Sequence, residues 1–157
     1  MSFPQILIEL DIPESCIDQK TSASERGRSF VLHREQDETV YRIKVDDCWL
    51  GSDDGKKVDY LFWYTNNKAR LILVELKGQN LGTALKQIAA TLEYLYNLRP
   101  TLRQFATQGG ICVYIVLSRG KGVGKRLNQI DKLKKTYQVI IRSKSQRLEL
   151  NGMHELC

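Results

Sequence analysis

Apolar and polar positions alternate with a period of two through the first half of the chain, which is typical of β-strands. Four strands are expected in two antiparallel hairpins: 30–34 with 40–45, and 58–64 with 69–77. Asn66 and Asn67 supply the turn of the second hairpin. Residues 18–29 are polar and predict a loop.

Further along the chain the apolar period becomes helical. A helix over 83–98, with Thr83 as its N-cap, carries one apolar stripe: Leu85, Ile88, Ala89, Leu92, Leu95 and Tyr96. Residues 111–117 are continuously apolar, as in a central strand that is covered on both faces. Shorter patterns predict a helix at 102–107, a helix at 125–136 with Leu127, Ile130 and Leu133 inward, and strands at 138–142 and 148–150.

The order of these elements predicts an α/β domain, in which helices pack on a mixed sheet. A length of 157 residues suits a single domain, with its core over about 40–142 and an N-terminal extension over 1–39. No apolar run approaches the ~20 residues of a membrane span, and the first residues lack the pattern of a signal peptide. The sequence therefore predicts a cytoplasmic protein without a membrane partner.

The four cysteines are scattered singly at positions 16, 48, 112 and 157. No pair has the close spacing of a zinc site, and two histidines cannot complete one. Two disulfides are possible by number, but the absence of a secretion signal favours reduced thiols.

Charge is distributed unevenly along the chain. The net charge is +6, yet residues 1–60 carry 13 acidic and 8 basic side chains, whereas residues 101–157 carry 3 and 11. A basic half indicates a polyanionic partner, of which nucleic acid is the commonest. A solvated lysine-rich surface explains the same composition equally well.

One strand carries charges where an apolar pattern breaks. Residues 71–74 are apolar on both faces of the predicted strand. Glu75 and Lys77 then continue the face that carries Leu71 and Leu73. The hairpin brings Asp59 beside them, because the start of one antiparallel strand lies next to the end of its partner. Unpaired charges are costly in a buried sheet, so this cluster indicates a functional site.

Two carboxylates and an ammonium are suited to hydrolysis of a phosphate ester. Carboxylate oxygens are the ligands that Mg²⁺ and Mn²⁺ prefer, and such a metal offsets charge that develops on a phosphate. A lysine can orient or deprotonate the attacking water. The structural alternative is a Glu–Lys pair at a sheet edge, with Asp59 only ending a turn.

These residues resemble the PD-(D/E)xK nuclease superfamily, which includes restriction endonucleases and Holliday-junction resolvases. The resemblance covers roughly 40–118 and rests on Lys57-Val58-Asp59, on residues 73–78 (LVELKG) and on a following helix that carries Gln87. It implies a restriction-endonuclease-like mixed β-sheet flanked by helices, here with an N-terminal β-hairpin extension.

The resemblance also implies roles for individual residues. Asp59, Glu75 and the backbone carbonyl of Leu76 would bind Mg²⁺ or Mn²⁺, Lys77 would position the water, and Gln87 would complete the catalytic site. The chain departs from the family pattern at Val58, where proline is frequent, and at Thr91, where one subgroup has tyrosine. Many members carry a further acid on a first helix, for which the candidates here are Glu9, Glu14 and Glu25.

Basic residues near the cluster and in a glycine-rich loop are candidate contacts to a nucleic acid backbone. They are Lys57, Arg119, Lys121, Lys125 and Arg126. The loop does not have the spacing of a phosphate-binding P-loop, and an ordinary strand-to-helix turn is the alternative. Asp46 and Asp47 are expected to be turn residues, with a role as extra metal ligands as the alternative.

The resulting hypothesis is a metal-dependent nuclease that hydrolyses DNA, with RNA left open as a substrate. The resemblance also implies a homodimer. Two other functions stay open at this point: a nucleic-acid-binding subunit that does not cleave, and a protein-interaction subunit built on the same fold.

Overall fold

Two sheets and four helices make up the part of the chain described by the computed structural model. That part comprises residues 3–51, 56–77, 80–118 and 124–152, with only the backbone for Lys77 and Lys125. The helices are α1 (Gln5–Glu9), α2 (Leu81–Leu98), α3 (Thr101–Thr107) and α4 (Leu127–Tyr137). The strands are β1 (Ile17–Asp18), β2 (Ser22–Glu25), β3 (Arg28–Leu32), β4 (Thr39–Lys44), β5 (Tyr60–Thr65), β6 (Ala69–Lys77), β7 (Ile111–Leu117), β8 (Ile140–Ser145) and β9 (Arg147–Leu150).

The larger sheet has six strands in the order β1-β4-β5-β6-β7-β8. In this sheet β1, β4, β5 and β6 pair antiparallel, whereas β6, β7 and β8 pair in parallel. Parallel neighbours need long crossovers. Helices α2 and α3 connect β6 to β7, and α4 connects β7 to β8.

Helices cover one face of this sheet. Leu71 and Leu73 of β6 belong to a core that includes Ile88 and Leu92 of α2. The residues between them on β6 point to the opposite face, because side chains alternate along a strand. This alternation, with apolar side chains on both faces, agrees with the sequence prediction for β6.

A second sheet, β2-β3-β9, covers the other face of the larger one. Phe30 of β3 is fully buried there, with ring centroids 5.4 Å from Phe62 and 5.5 Å from Tyr114. β3 pairs with β9 in parallel, although the two strands lie at opposite ends of the chain. The molecule thus has three layers: helices, a mixed sheet and a small sheet.

The mixed α/β sheet flanked by helices is confirmed, but several local predictions are wrong. Residues 30–34 and 40–45 do not form a hairpin, since β3 and β4 belong to different sheets. Residues 18–29 contain β2 rather than a loop alone, and Asn80, not Thr83, caps α2 through a bond from the Thr83 amide. Leu127 is 53% exposed rather than inward, because it opens its helix beyond the edge of the apolar face.

The prediction of reduced thiols is wrong for Cys16 and Cys48, which form a disulfide with a Cα–Cα distance of 5.7 Å. Cys112 is buried and is not a free thiol either. The distance between Cys16 and Cys48 depends on tertiary folding, which a separation of 32 residues does not reveal. Disulfides are rare in cytoplasmic proteins, so this one does not support the expected cytoplasmic location. None of the described helices is long and apolar enough to cross a membrane.

Candidate functional site

The β5–β6 hairpin brings Asp59 to Glu75. Tyr60 pairs with Val74, so continuing the register by one residue sets Asp59 opposite Glu75. The Leu76 amide donates a hydrogen bond of 2.8 Å to Asp59 Oδ2. The Asp59 carboxylate therefore lies against the peptide group that joins Glu75 to Leu76.

Glu75 is only 1% exposed, and it follows Leu73 on the face that packs against helices. Directly opposed residues of an antiparallel pair have Cβ atoms about 4.5–5.5 Å apart. Like charges at that distance repel, and a cation between them would relieve the repulsion. Asp59 and Glu75 therefore form a suitable pair of ligands for a divalent metal, with backbone oxygen and water to complete the set.

Helix α2 contributes Gln87 to the same place. Gln87 is 3% exposed, and its Nε2 donates to the carbonyl of Lys57 over 3.1 Å. Its Oε1 is buried and has no hydrogen-bond partner in the described part of the chain. Buried amide oxygens normally accept a hydrogen bond, so this oxygen is available to a ligand or water in the site.

Thr91 fixes the segment that leads into Asp59. Its hydroxyl donates to the Gln87 carbonyl over 2.8 Å and accepts from the amide of Val58 over 3.0 Å. Gln87 and Thr91, one turn apart on α2, therefore bind both polar groups of the Lys57–Val58 peptide. This gives a physical role to the position where one subgroup of the resembled family has tyrosine.

The carboxylates lie in a cleft of about 450 Å³ between the start of α2 and the β2–β3 hairpin. Charged and polar side chains from four parts of the chain line it: Glu25, Arg26, Arg28, Asp46, Lys56, Asp59, Glu75, Asn80 and Gln87, together with Leu76. Four of these are acidic and three are basic. A cleft that is lined by carboxylates and by basic side chains fits a metal ion together with an anionic substrate.

Asp46 is a third carboxylate beside the pair. It lines this cleft and an adjoining one of about 260 Å³, which Asp59 also lines. Partial burial raises the pKa of the Asp46 carboxyl, and the negative charges of Asp47 and Asp59 add to the increase, against opposing effects of Lys56 and Lys44. The Cys16–Cys48 disulfide anchors the loop that carries Asp46 to the N-terminal segment.

We expect Asp46→Asn to increase the free energy of unfolding near neutral pH. A raised pKa in the folded state means that ionised Asp46 destabilises the fold fully above that pKa. The gain should shrink as the pH falls through the raised pKa and vanish below the unfolded value of 3.8. Urea unfolding of the variant and wild type across this range measures the difference, and an equal gain at every pH would contradict the assignment.

The predicted nucleic-acid contacts have different outcomes. Lys57 is 4% exposed, which is at odds with contact to a DNA backbone, because such a side chain must reach the surface. Arg126 is half-buried beside the start of α2, where a methyl group at Gly82 would lie 3.3 Å from the guanidinium carbon. Arg119 and Lys121, and the side chains of Lys77 and Lys125, lie outside the described residues.

Of the three candidates for a further acid, Glu25 lines the cleft. Glu9 forms an ion pair of 2.7 Å with Arg99, and Glu14 is exposed in a short 3₁₀ segment. Sequence reasoning assigned no role to Arg26, Arg28 or Lys56. The sequence signal for the first two was Gly27, a turn residue between the apolar positions Ala23 and Phe30, which is typical of a hairpin.

Within the described ranges, no group of three or more His, Cys, Asp and Glu side chains is arranged to hold a metal ion. The candidate donors are two carboxylates and a backbone carbonyl, which suit a hard cation that keeps several waters.

Comparisons of this chain with protein-family models, curated proteins and solved structures find no match. Arguments about function therefore depend on the site itself.

Proposed function

We propose that this protein is a metal-dependent phosphodiesterase that hydrolyses DNA. The observation that carries the proposal is the hydrogen bond from the Leu76 amide to Asp59. It holds the Asp59 carboxylate beside Glu75, and both carboxylates line one cleft. In the reaction, water adds to phosphorus and one P–O ester bond breaks. The products are a phosphate monoester and a free hydroxyl group.

Asp59, Glu75 and the carbonyl of Leu76 would hold Mg²⁺ or Mn²⁺. Such an ion, when bound, supplies positive charge that stabilises charge developing on the phosphate. The hydrogen bond from the Leu76 amide orients the Asp59 carboxylate. Burial of Glu75 excludes water from one side of the site and strengthens electrostatic interactions there.

Lys77 and Gln87 would act on the attacking water. Lys77 follows Glu75 by two residues in β6. Its ammonium would orient the water, or its neutral amine would accept the proton of the water. Gln87 offers its buried Oε1 as a hydrogen-bond acceptor. The hydrogen bond from Gln87 to the Lys57 carbonyl also keeps the helix against the segment that carries Asp59.

DNA is proposed as the substrate because three basic side chains, Arg26, Arg28 and Lys56, line the same cleft as the carboxylates. The cleft lies at one end of β6, and Asn80 connects it to a further depression beside Lys86 and Arg126. A backbone of phosphates could follow this path, with positive charge on either side of the scissile bond. The homodimer implied by the resemblance remains a prediction, which analytical ultracentrifugation would test.

A cleavage assay tests the proposed reaction. Linear, circular, single-stranded and branched DNA, and RNA, are incubated with wild type in Mg²⁺, Mn²⁺ or EDTA. We expect cleavage of DNA in either metal and none in EDTA, with the Glu75→Gln and Lys77→Met variants at least about a hundredfold slower. These two changes remove a charge without shortening the side chain.

Glu14→Gln is the matched control, since it removes an exposed carboxylate away from the cleft. It should cleave like wild type. Absence of cleavage by folded wild type in both metals would refute the phosphodiesterase. Salt-sensitive DNA binding under the same conditions would then favour the non-cleaving subunit.

A further inference from the structure

Arg28 places a charged and largely buried side chain in the cleft. It is 9% exposed, and its Nε is buried with no hydrogen bond. Within the described part of the chain, its guanidinium forms neither a side-chain hydrogen bond nor a salt bridge. Within the described residues, the fold therefore keeps an arginine in the cleft whose Nε is buried and makes no hydrogen bond.

The β2–β3 hairpin sets Arg28 in this position. The backbones of Glu25 and Arg28 lie opposite each other in the hairpin ladder, and Arg26 and Gly27 form the turn between them. Both turn residues have positive φ, 47° for Arg26 and 80° for Gly27. Ala23 and Phe30, one on each strand, are buried against the larger sheet and hold the hairpin over the end of β6.

We propose that Arg28 binds a phosphate group of the substrate, and that the β2–β3 hairpin forms part of the substrate-binding site by positioning Arg28. An unpaired buried charge is destabilising unless a ligand of opposite charge completes it. The planar fork of a guanidinium matches two oxygens of a phosphate. Arg28 shares its cleft with Asp59 and Glu75, so the same phosphate could meet both the guanidinium and a cation held by the carboxylates.

This inference rests on the proposed function for the identity of the substrate, but its test does not require cleavage. Fluorescence anisotropy in EDTA measures the affinity of wild type for labelled single-stranded and duplex DNA. We expect Arg28→Met to weaken binding about ten- to hundredfold, because a hydrogen-bonded charge is lost. The slope of log affinity against log salt should also fall by about one, and Arg28→Lys should give an intermediate loss.

Thermal unfolding distinguishes a ligand contact from a structural role. Methionine keeps the apolar stem of the side chain and removes the buried charge, so the variant should unfold at the same or a higher temperature than wild type. A structural arginine would instead make the variant less stable. Should Arg28→Met fail to fold, Arg28→Gln gives the same comparison with a polar side chain.

Arg70→Met is the matched control. Arg70 lies near the other end of β6, about 17 Å from Glu75 along the strand, and the change removes the same charge. It should bind DNA within about twofold of wild type. Unchanged affinity and salt slope for the Arg28 variants would overturn the inference.

The outcomes also separate this inference from the nuclease proposal. DNA binding that depends on Arg28, without any cleavage, would retain the phosphate contact and refute the enzyme. Metal-dependent cleavage by wild type, together with unaltered DNA binding by Arg28→Met, would support the enzyme and refute the phosphate contact. Competition by inorganic phosphate or a mononucleotide distinguishes the two sources of phosphate: a mononucleotide that binds as tightly as the oligonucleotide, and needs Arg28, assigns the site to free nucleotides.

Discussion

The Asp59→Asn variant is expected to lose metal-dependent cleavage by about a thousandfold or more while remaining folded. Metal assistance is worth several kcal/mol of transition-state stabilisation, and each ~1.4 kcal/mol is a factor of ten in rate. Asparagine removes the negative charge that would hold the metal. Its side-chain oxygen can still accept the hydrogen bond from the Leu76 amide, which is 2.8 Å from Asp59 Oδ2 in the wild type.

Asp59→Ala provides the comparison that isolates this hydrogen bond. Alanine removes both the charge and the acceptor. The Asp59→Ala variant should therefore be as inactive as Asp59→Asn, and its free energy of unfolding should be lower than that of Asp59→Asn by about 1 kcal/mol. Single-turnover cleavage rates and urea unfolding of both variants measure the two effects separately. Cleavage by Asp59→Asn at a rate near that of wild type would exclude Asp59 as a metal ligand.

The juxtaposition of Asp59 and Glu75 could be predicted because it depends on local structure. The two asparagines at 66 and 67 specify the turn, and the alternation along 69–77 specifies which side chains share a face. The exact register comes from the structure, in which Thr65 pairs with Ala69, so residues 66–68 form the turn and Tyr60 lies opposite Val74. Gln87 follows from the apolar stripe of α2, since its position on that helix sets which side it presents.

The other wall of the cleft could not be predicted in the same way. β3 pairs in parallel with β9, and Ser29 lies opposite Arg147, so no short-range signal connects the partners. Nearness in sequence instead suggested that 30–34 pairs with 40–45, whereas the connection between them crosses from one sheet to the other. Arg28 then looked like an exposed loop residue, although it is buried at the start of β3.

For Glu75, the sequence and the structure supply different parts of the description. The sequence predicts that a carboxylate interrupts an apolar strand, and the structure adds that α2 covers it. It also adds Asp46, whose loop is held by a disulfide that spacing alone did not indicate. The acidic first part of the chain is therefore not only a solvated surface, since it supplies three carboxylates of the cleft: Glu25, Asp46 and Asp59.

The Phe30→Ala variant is expected to lose about 3–5 kcal/mol of stability, which is the usual cost of truncating a fully buried phenylalanine. Phe30 has no exposed surface and packs its ring against Phe62 and Tyr114. Phe30 and Leu32 are the side chains of β3 in this core, and Phe30 is the larger of the two. Stabilities of whole domains are only about 5–15 kcal/mol, so the variant should unfold at a much lower concentration of urea.

The loss should also reach the cleft, because Phe30 lies two residues after Arg28 on the same strand. A cavity beneath β3 would loosen the hairpin that carries Arg28, and DNA affinity in EDTA should fall even where the variant is still folded. Phe30→Leu fills most of the space and should lose less of both stability and affinity. A variant with reduced stability but unchanged affinity would mean that the small sheet supports the fold without shaping the substrate site.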